Sequence, residues 1–319
     1  MPDNRLHSRR IAIGVMLATP LFLSSNLVFG RMVIPEVSPF ILAFLRWSAV
    51  SFVMLPFMAG NFGSLARLAG QQWPRLLALG FLGMFICGGV VYAALRHTTA
   101  TNSTLIYTTS PVFIMLLDAA VNRKRIGLRE ALGSVIAFAG VAVIVLKGDL
   151  SVLASLDFNI GDLMILLASL SWAGYAVFGR HPALKAVANI QQFALLAFFG
   201  ALVLAPAALA EIQSGGMLPS STRAWMGLAG IVLFGSLASF LGFQYGVRVL
   251  GPTLAGHFTY LMSPYGVVLA ILVLGETFEA FHAAGIALVM AGVILATFRS
   301  SGKSEKLVVS REGIEPSTT

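Results

Sequence analysis

The sequence predicts an all-α integral membrane protein: ten transmembrane helices built from two inverted five-helix repeats. Three observations predict it. Hydrophobic residues make up 57% of the 319 positions and charged residues only 11%. Ten apolar runs of spanning length follow one another along the chain. A pattern of residues then recurs at a nearly constant offset of 153.

The composition comes first because it sets the solvent. A soluble domain carries roughly 25% charged residues, and a soluble core cannot absorb so large a shortfall. Each spanning helix needs ~20 apolar residues, so ten of them use nearly the whole length and leave little for a soluble domain. The net charge of +8 does not imply nucleic acid, since that reading needs Lys and Arg gathered on one exposed face or tail. Here the cations lie between apolar runs. The expected partners are a lipid bilayer and a small-molecule solute, with a homodimer left open. The single cysteine, Cys87, excludes disulfides within the chain and multi-cysteine metal sites.

The first half holds the runs Ile11 to Phe29, Pro39 to Met58, Leu76 to Leu95, Thr101 to Ala120 and Leu128 to Leu146. The second holds Gly161 to Phe178, Ile190 to Ala208, Ala224 to Val247, Leu254 to Leu274 and Phe281 to Phe298. The first run follows Arg9 and Arg10 and imitates a signal peptide, but it is longer than a signal core and no small-x-small site closes it. A retained first helix is expected. Continuous apolarity argues against lipid-facing strands, which alternate, and a helix pairs its own backbone groups as lipid demands.

Orientation follows from the cations, which are retained on the cytoplasmic side. With the N-terminus inside, sixteen Lys and Arg fall on cytoplasmic segments and four, Arg31, Arg96, Lys147 and Arg223, on outer loops. The expected organisation is a cytoplasmic N-terminus at 1–10, a first repeat at 11–146, an outer linker at 147–160, a second repeat at 161–298 and a disordered cytoplasmic tail at 299–319. Residues Arg311 to Thr319 resemble translation past a natural stop and are assigned no role.

The repeat is read residue by residue. Phe81, Gly89, Tyr92, Tyr107, Ser110 and Pro111 match Phe234, Gly242, Tyr245, Tyr260, Ser263 and Pro264, all at an offset of 153. Val28-Phe29-Gly30-Arg31 recurs as Val177-Phe178-Gly179-Arg180, and Gly133 with Ala139-Gly140-Val141 recurs as Gly285 with Ala291-Gly292-Val293. A unit of five helices begins on one side of the membrane and ends on the other, so its second copy is inverted. Inverted repeats are an architecture of secondary transporters, with the substrate site at their interface near the midplane.

On these residues the chain resembles the drug/metabolite transporter superfamily, in its branch with two EamA domains, from Ile11 to Phe298. Ser25-Asn26 in helix 1, Arg46 in helix 2, Pro111 and Pro264 in helices 4 and 9, and Leu274-Gly275-Glu276 after helix 9 carry the resemblance. One departure is Arg123, which stands where the first half would match Glu276. The resemblance implies ten helices around a central cavity, alternating access, and export of amino acids or other metabolites from a bacterial inner membrane. Broad multidrug export is the alternative within transport, and a membrane enzyme or structural subunit the alternatives outside it.

The chemistry-bearing residues are few. No GxxxxGK[ST] loop occurs, so nucleotide hydrolysis is not expected. The five histidines, His7, His97, His181, His257 and His282, show no metal-ligand spacing, and neither a catalytic residue, a metal nor a cofactor is expected. Asp118, Glu130, Asp162 and Glu276 lie at helix ends, which leaves no carboxylate at a helix centre as a proton carrier. Arg46, near the middle of helix 2, costs at least ~2.5 kcal/mol if unpaired. It binds a substrate carboxylate or pairs with carbonyls or another side chain.

The proline at Pro111 or Pro264 frees the carbonyl four residues earlier, that of Tyr107 or Tyr260, for a ligand or for a neighbouring helix. Trp172 and Tyr175 lie near the middle of helix 6, away from interfacial belts, and with the two tyrosines suit an aromatic-lined cavity. Asn26, Asn102, Gln191 and Gln244 complete the candidates as polar wall residues. Only Arg46 is available for a phosphorylated substrate, which would want several cations.

Overall fold

The computed structural model describes residues 2–98, 100–149, 151, 159–274 and 277–297, and these are helical throughout their regular elements. The order is α1 (Pro2–Val33), α2 (Pro39–Ala59), α3 (Phe62–Ala94), α4 (Ala100–Tyr107), α5 (Ser110–Asn122) and α6 (Leu128–Val145) in the first half. The second half has α7 (Ile160–Phe178), α8 (Asn189–Gln213), α9 (Thr222–Leu250), α10 (Pro252–Phe258), α11 (Met262–Leu274) and α12 (Ala280–Thr297). Eight helices among the described residues are long and apolar enough to cross a membrane, against the ten spans expected from sequence. The run expected as a continuous ninth span, Leu254 to Leu274, is divided by a 3-10 turn at Thr259–Leu261. The tail from 298 onward and the Gly275-Glu276 pair lie outside the described residues.

Local chemistry sets the helix ends. Asn159 accepts from the Gly161 and Asp162 amides at 2.8 and 3.3 Å, while Asp162 accepts from the Asn159 amide at 2.9 Å, a reciprocal cap that starts α7. The start of α2 is capped from another helix: Glu211 of α8 accepts from the Phe40 and Ile41 amides, both at 2.9 Å. A carboxylate placed there also meets the positive end of the helix dipole. At the other end of α9, Gly251 takes φ +95°, a left-handed conformation that glycine adopts without a Cβ penalty.

The proline breaks fall just before Pro111 and Pro264. The α4–α5 junction is a turn at residues 108 and 109, and Pro111 sits in the first turn of α5. Each break receives a serine from another helix: Ser169 donates to the Ile106 carbonyl at 3.1 Å, and Ser24 to the Met262 carbonyl at 2.8 Å. These bonds go to carbonyls close to, but not the same as, the two that the prolines free, those of Tyr107 and Tyr260.

Two segments depart from α geometry. Phe81–Val90 within α3 and Ile231–Ala238 within α9 are π-helical. Phe81 and Phe234, a pair at the 153-residue offset, lie one in each.

The packing of α6 on α12 depends on four glycines. A Cβ on Gly133 would lie 2.6 Å from the Gly292 carbonyl oxygen, and one on Gly292 would lie 2.6 Å from that of Gly133. Gly140 and Gly285 oppose one another in the same reciprocal way at 2.7 Å. Rising numbers on one helix meet falling numbers on the other, so the two run antiparallel at backbone contact. Small residues permit this approach where lipid provides no hydrophobic drive between helices. Outside, large apolar side chains are left uncovered: Phe52 is 74% exposed, Val135 66% and Leu272 77%. That surface is suited to hydrocarbon rather than water.

Candidate functional site

Arg46 is carried into the protein interior by α2, where it is only 3% exposed. Its Nε donates to Ser236 Oγ at 2.5 Å, Nη1 to Tyr92 Oη at 3.0 Å and Nη2 to the Gly235 carbonyl at 2.6 Å. Gly235 and Ser236 belong to the π-helical part of α9, whose wide turn changes the direction of its carbonyls and hydroxyls. Ser236 Oγ in turn donates to the Ile231 carbonyl at 2.9 Å. Tyr92, at the end of α3, donates in turn to Asn26 Oδ1 of α1 at 3.3 Å. Asn26, Tyr92, Arg46 and Ser236 therefore form one polar chain that joins three helices of the first half to one of the second.

Every partner in that chain is neutral. The ion pair recorded among the described residues is Lys124–Asp118 at 2.7 Å, elsewhere in the molecule, so Arg46 meets no carboxylate among them. A guanidinium has five N–H donors, and three are used. Two aromatic faces provide partial compensation, with the guanidinium carbon 4.9 Å from the Trp47 ring centre and 5.7 Å from that of Phe240.

Phe240 leads from the charge into an aromatic cluster. It packs edge-on against Trp47 at 4.8 Å and Trp172 at 5.3 Å, while Trp172 stacks on Tyr175 at 5.5 Å and meets Phe243 at 4.7 Å. Tyr175 is seated by Gly83 in the π-helical part of α3, where a Cβ would stand 2.6 Å from the ring. Several buried polar atoms in this region have no hydrogen-bond partner: Tyr175 Oη, Trp47 Nε1 and both amide atoms of Gln244. Buried polar groups are rarely left so.

Gln244 and Tyr175 border a cavity of about 10 Å³, room for about one water. Arg180, Lys185 and Arg248 also line it. Burial, and then the neighbouring Arg180 and Arg248, hold the Lys185 ammonium below its ordinary range. Arg248 is anchored on the Val187 and Lys185 carbonyls, both at 2.7 Å.

Of the residues singled out from sequence, Arg46 and Asn26 share the polar chain, Trp172 and Tyr175 share the aromatic cluster, and Gln244 lies beside Tyr175. Tyr107 is half-buried, with its phenol against Cys87 and within the field of Arg46. Tyr260 is buried on the 3-10 turn, and its unpartnered phenol neighbours Ser134 of α6 rather than the cluster. Pro111 and Pro264 are buried at the breaks, and the Asn102 side chain lies outside the described residues. Gln191 caps α8, its side-chain Oε1 accepting from the Ala188 amide at 3.3 Å. Sequence reasoning missed Trp47, Ser236, Phe240 and Phe243. Tyr92 was visible in the repeat, though nothing local tied it to Arg46. Among the described residues no group of three or more His, Cys, Asp or Glu is placed to hold a metal.

Long apolar helices, uncovered apolar faces and a buried cation among neutral groups define a multi-pass helical membrane protein. The chain matches the EamA-like transporter family over residues 10–146 and 159–298. It belongs to that family, with two EamA domains. It is 27% identical over 288 residues to an uncharacterized transporter of Archaeoglobus fulgidus, covering 89% of this chain and 96% of the relative. It is 24% identical to the uncharacterized inner membrane transporter YedA of Escherichia coli K12, covering 89% and 90%. It is 26% identical to a protein of Streptantibioticus cattleyicolor named a probable terminal-alkyne amino-acid exporter, covering 80% and 82%. A solved crystal structure at 19% identity matches with a TM-score of 0.73 over 90% of this chain and 97% of the other, which supports the fold alone.

Proposed function

We propose that this chain is a secondary transporter of a bacterial inner membrane that exports small carboxylate-bearing metabolites, amino acids foremost, by alternating access. The observation that carries the reading is Arg46, a buried charge whose partners are all neutral and which keeps two N–H donors. A substrate carboxylate supplies the missing counter-charge through charge-assisted bonds. The aromatic cluster beside it suits an apolar or aromatic side chain. The relative named an amino-acid exporter points the same way.

Alternating access rests on the inverted repeat. The reciprocal contacts of Gly133 with Gly292 and Gly140 with Gly285 are the pattern expected of a pseudo-two-fold axis between α6 and α12. The basic loops assign both termini to the cytoplasm, and the sequence has no nucleotide-hydrolysing loop. Broad export of organic cations fits less well, because Arg46 repels a cation at the same place.

The test is flux in proteoliposomes of the purified chain, with a panel of radiolabelled amino acids and Arg46→Gln beside the wild type. Flux above empty liposomes is expected for at least one amino acid. It should fall at least about tenfold, ~1.4 kcal/mol, in the variant. No flux of any panel member, or equal flux in both proteins, sinks the reading.

A further inference from the structure

We infer that His257 is a proton-binding site that couples proton movement to transport, a reading that rests on the transport function proposed above. His257 is 1% exposed on α10, yet both ring nitrogens are engaged. Nδ1 lies 2.7 Å from the Thr253 carbonyl and Nε2 lies 2.8 Å from Ser134 Oγ of α6. A carbonyl only accepts, so Nδ1 carries the hydrogen, and in the neutral ring Nε2 accepts the Ser134 hydroxyl proton.

On one side the chain of contacts continues to a carboxylate. The Thr253 hydroxyl donates to Asp118 Oδ2 at 2.6 Å, and Asp118 also accepts from Asn122 at 2.5 Å and Lys124 at 2.7 Å. On the other side Ser134 neighbours Tyr260, whose hydroxyl has no partner. Thr253, Met115, Lys124 and Glu130 line a groove of about 1310 Å³ on the face assigned to the cytoplasm, so water comes within one side chain of the ring.

The charged groups around His257 are Asp118 of α5, Lys124 just after it, Glu130 of α6 and, along the groove, Arg9, Arg125 and Arg129. Arg248 closes α9, and Arg180 approaches Gly251 ahead of α10. His282 of α12 and Asp162 of α7 lie at the far ends of their helices.

The step balances with one proton. A proton from bulk water, entering by the groove, adds to Nε2 and makes the imidazolium. Nε2–H then donates to Ser134 Oγ, whose own hydrogen turns away to Met115 Sδ, 3.9 Å off, or to the unpartnered Tyr260 oxygen. Release reverses each move, and no other bond forms or breaks. Ser134 belongs to the first half of the chain and His257 to the second, so protonation changes the bond that joins the two bodies expected to move in alternating access.

Two measurements test this. The first needs no substrate: histidine-labelled protein in lipid nanodiscs is titrated by NMR, with the His257 signal assigned by its loss in His257→Asn. The ring is expected to gain a proton as the pH is lowered from about 9 toward 5, and its midpoint is expected to move in Ser134→Ala. A ring that keeps one charge state from pH 5 to 9 overturns the proposal. The second imposes a proton gradient on the proteoliposomes with the amino-acid panel. The ratio of gradient-driven to gradient-free flux should exceed one in the wild type and fall to about one in His257→Asn; an unchanged ratio overturns it. Wild-type protein that moves no panel member refutes the transport function, while the titration still decides the proton site.

Discussion

The charge on Arg46 is held by neutral groups one at a time, and each contact has its own cost when removed. Tyr92→Phe deletes one bond to the guanidinium and leaves Asn26 Oδ1 without its donor, so a stability loss of about 1–3 kcal/mol is expected. Thermal unfolding in detergent measures it. The two tyrosines that the repeat relates should behave differently. Tyr107 is half-buried and senses Arg46, so Tyr107→Ala is expected to lower flux per folded molecule with little change in unfolding temperature. Tyr260 is buried on the 3-10 turn between α10 and α11, so Tyr260→Ala is expected to destabilise by up to about 3–5 kcal/mol, the cost of truncating a buried aromatic. Flux normalised to folded protein separates the two, and the same response in both would refute the distinction. Sequence also placed Asp118 and Asp162 at helix ends, which is correct, but both are buried, at 0% and 2% exposure. Position along a helix says nothing of what a neighbouring helix covers.

Among the elements, α6 and α12 depend most on what is missing from their side chains. Gly140→Val would drive a Cβ to 2.6 Å from the Val289 amide nitrogen and 2.7 Å from the Gly285 carbonyl. Backbone cannot yield there as a flexible side chain can, so a large fall in unfolding temperature is expected. Gly14 of α1 has nothing within 4 Å of its Cβ position, and Gly14→Ala should be neutral or stabilise by about 0.5–1 kcal/mol through helix propensity. Comparing the two melting curves tests the packing, and equal shifts would contradict it. The glycines were legible as a recurring pattern in sequence. Their role as a reciprocal contact was not, because it depends on how the two helices meet. The π-helical segments had no sequence signal at all, though one of them turns Gly235 and Ser236 toward Arg46.

Across the whole molecule the charge distribution makes a prediction of its own. Basic segments retained in the cytoplasm place a reporter fused after Lys185 inside and one fused after Thr98 outside. Both fusions reporting the same side would overturn the arrangement of spans. The structure bears on the same question through Arg180, Lys185 and Arg248, which share one small cavity. Three cations close together hold one another's charge out of the hydrocarbon and favour the water-facing end of the bundle.

The sequence alone determined that this chain is helical, lies in lipid and is built from two related halves. Those properties follow from local composition, since a bilayer requires each segment to satisfy its own backbone and a repeat is written in residue order. It also marked Arg46, because a charge within an apolar run is visible without any neighbour. The tertiary structure decided what Arg46 touches, where the ninth run breaks and how His257 is connected. Arg46 meets residues 189 and 190 positions away, and Ser134 meets His257 across 123. Contacts of that separation depend on which helices adjoin and how each is rotated. In lipid that is settled by close packing and buried polar bonds between helices, which apolar periodicity does not record.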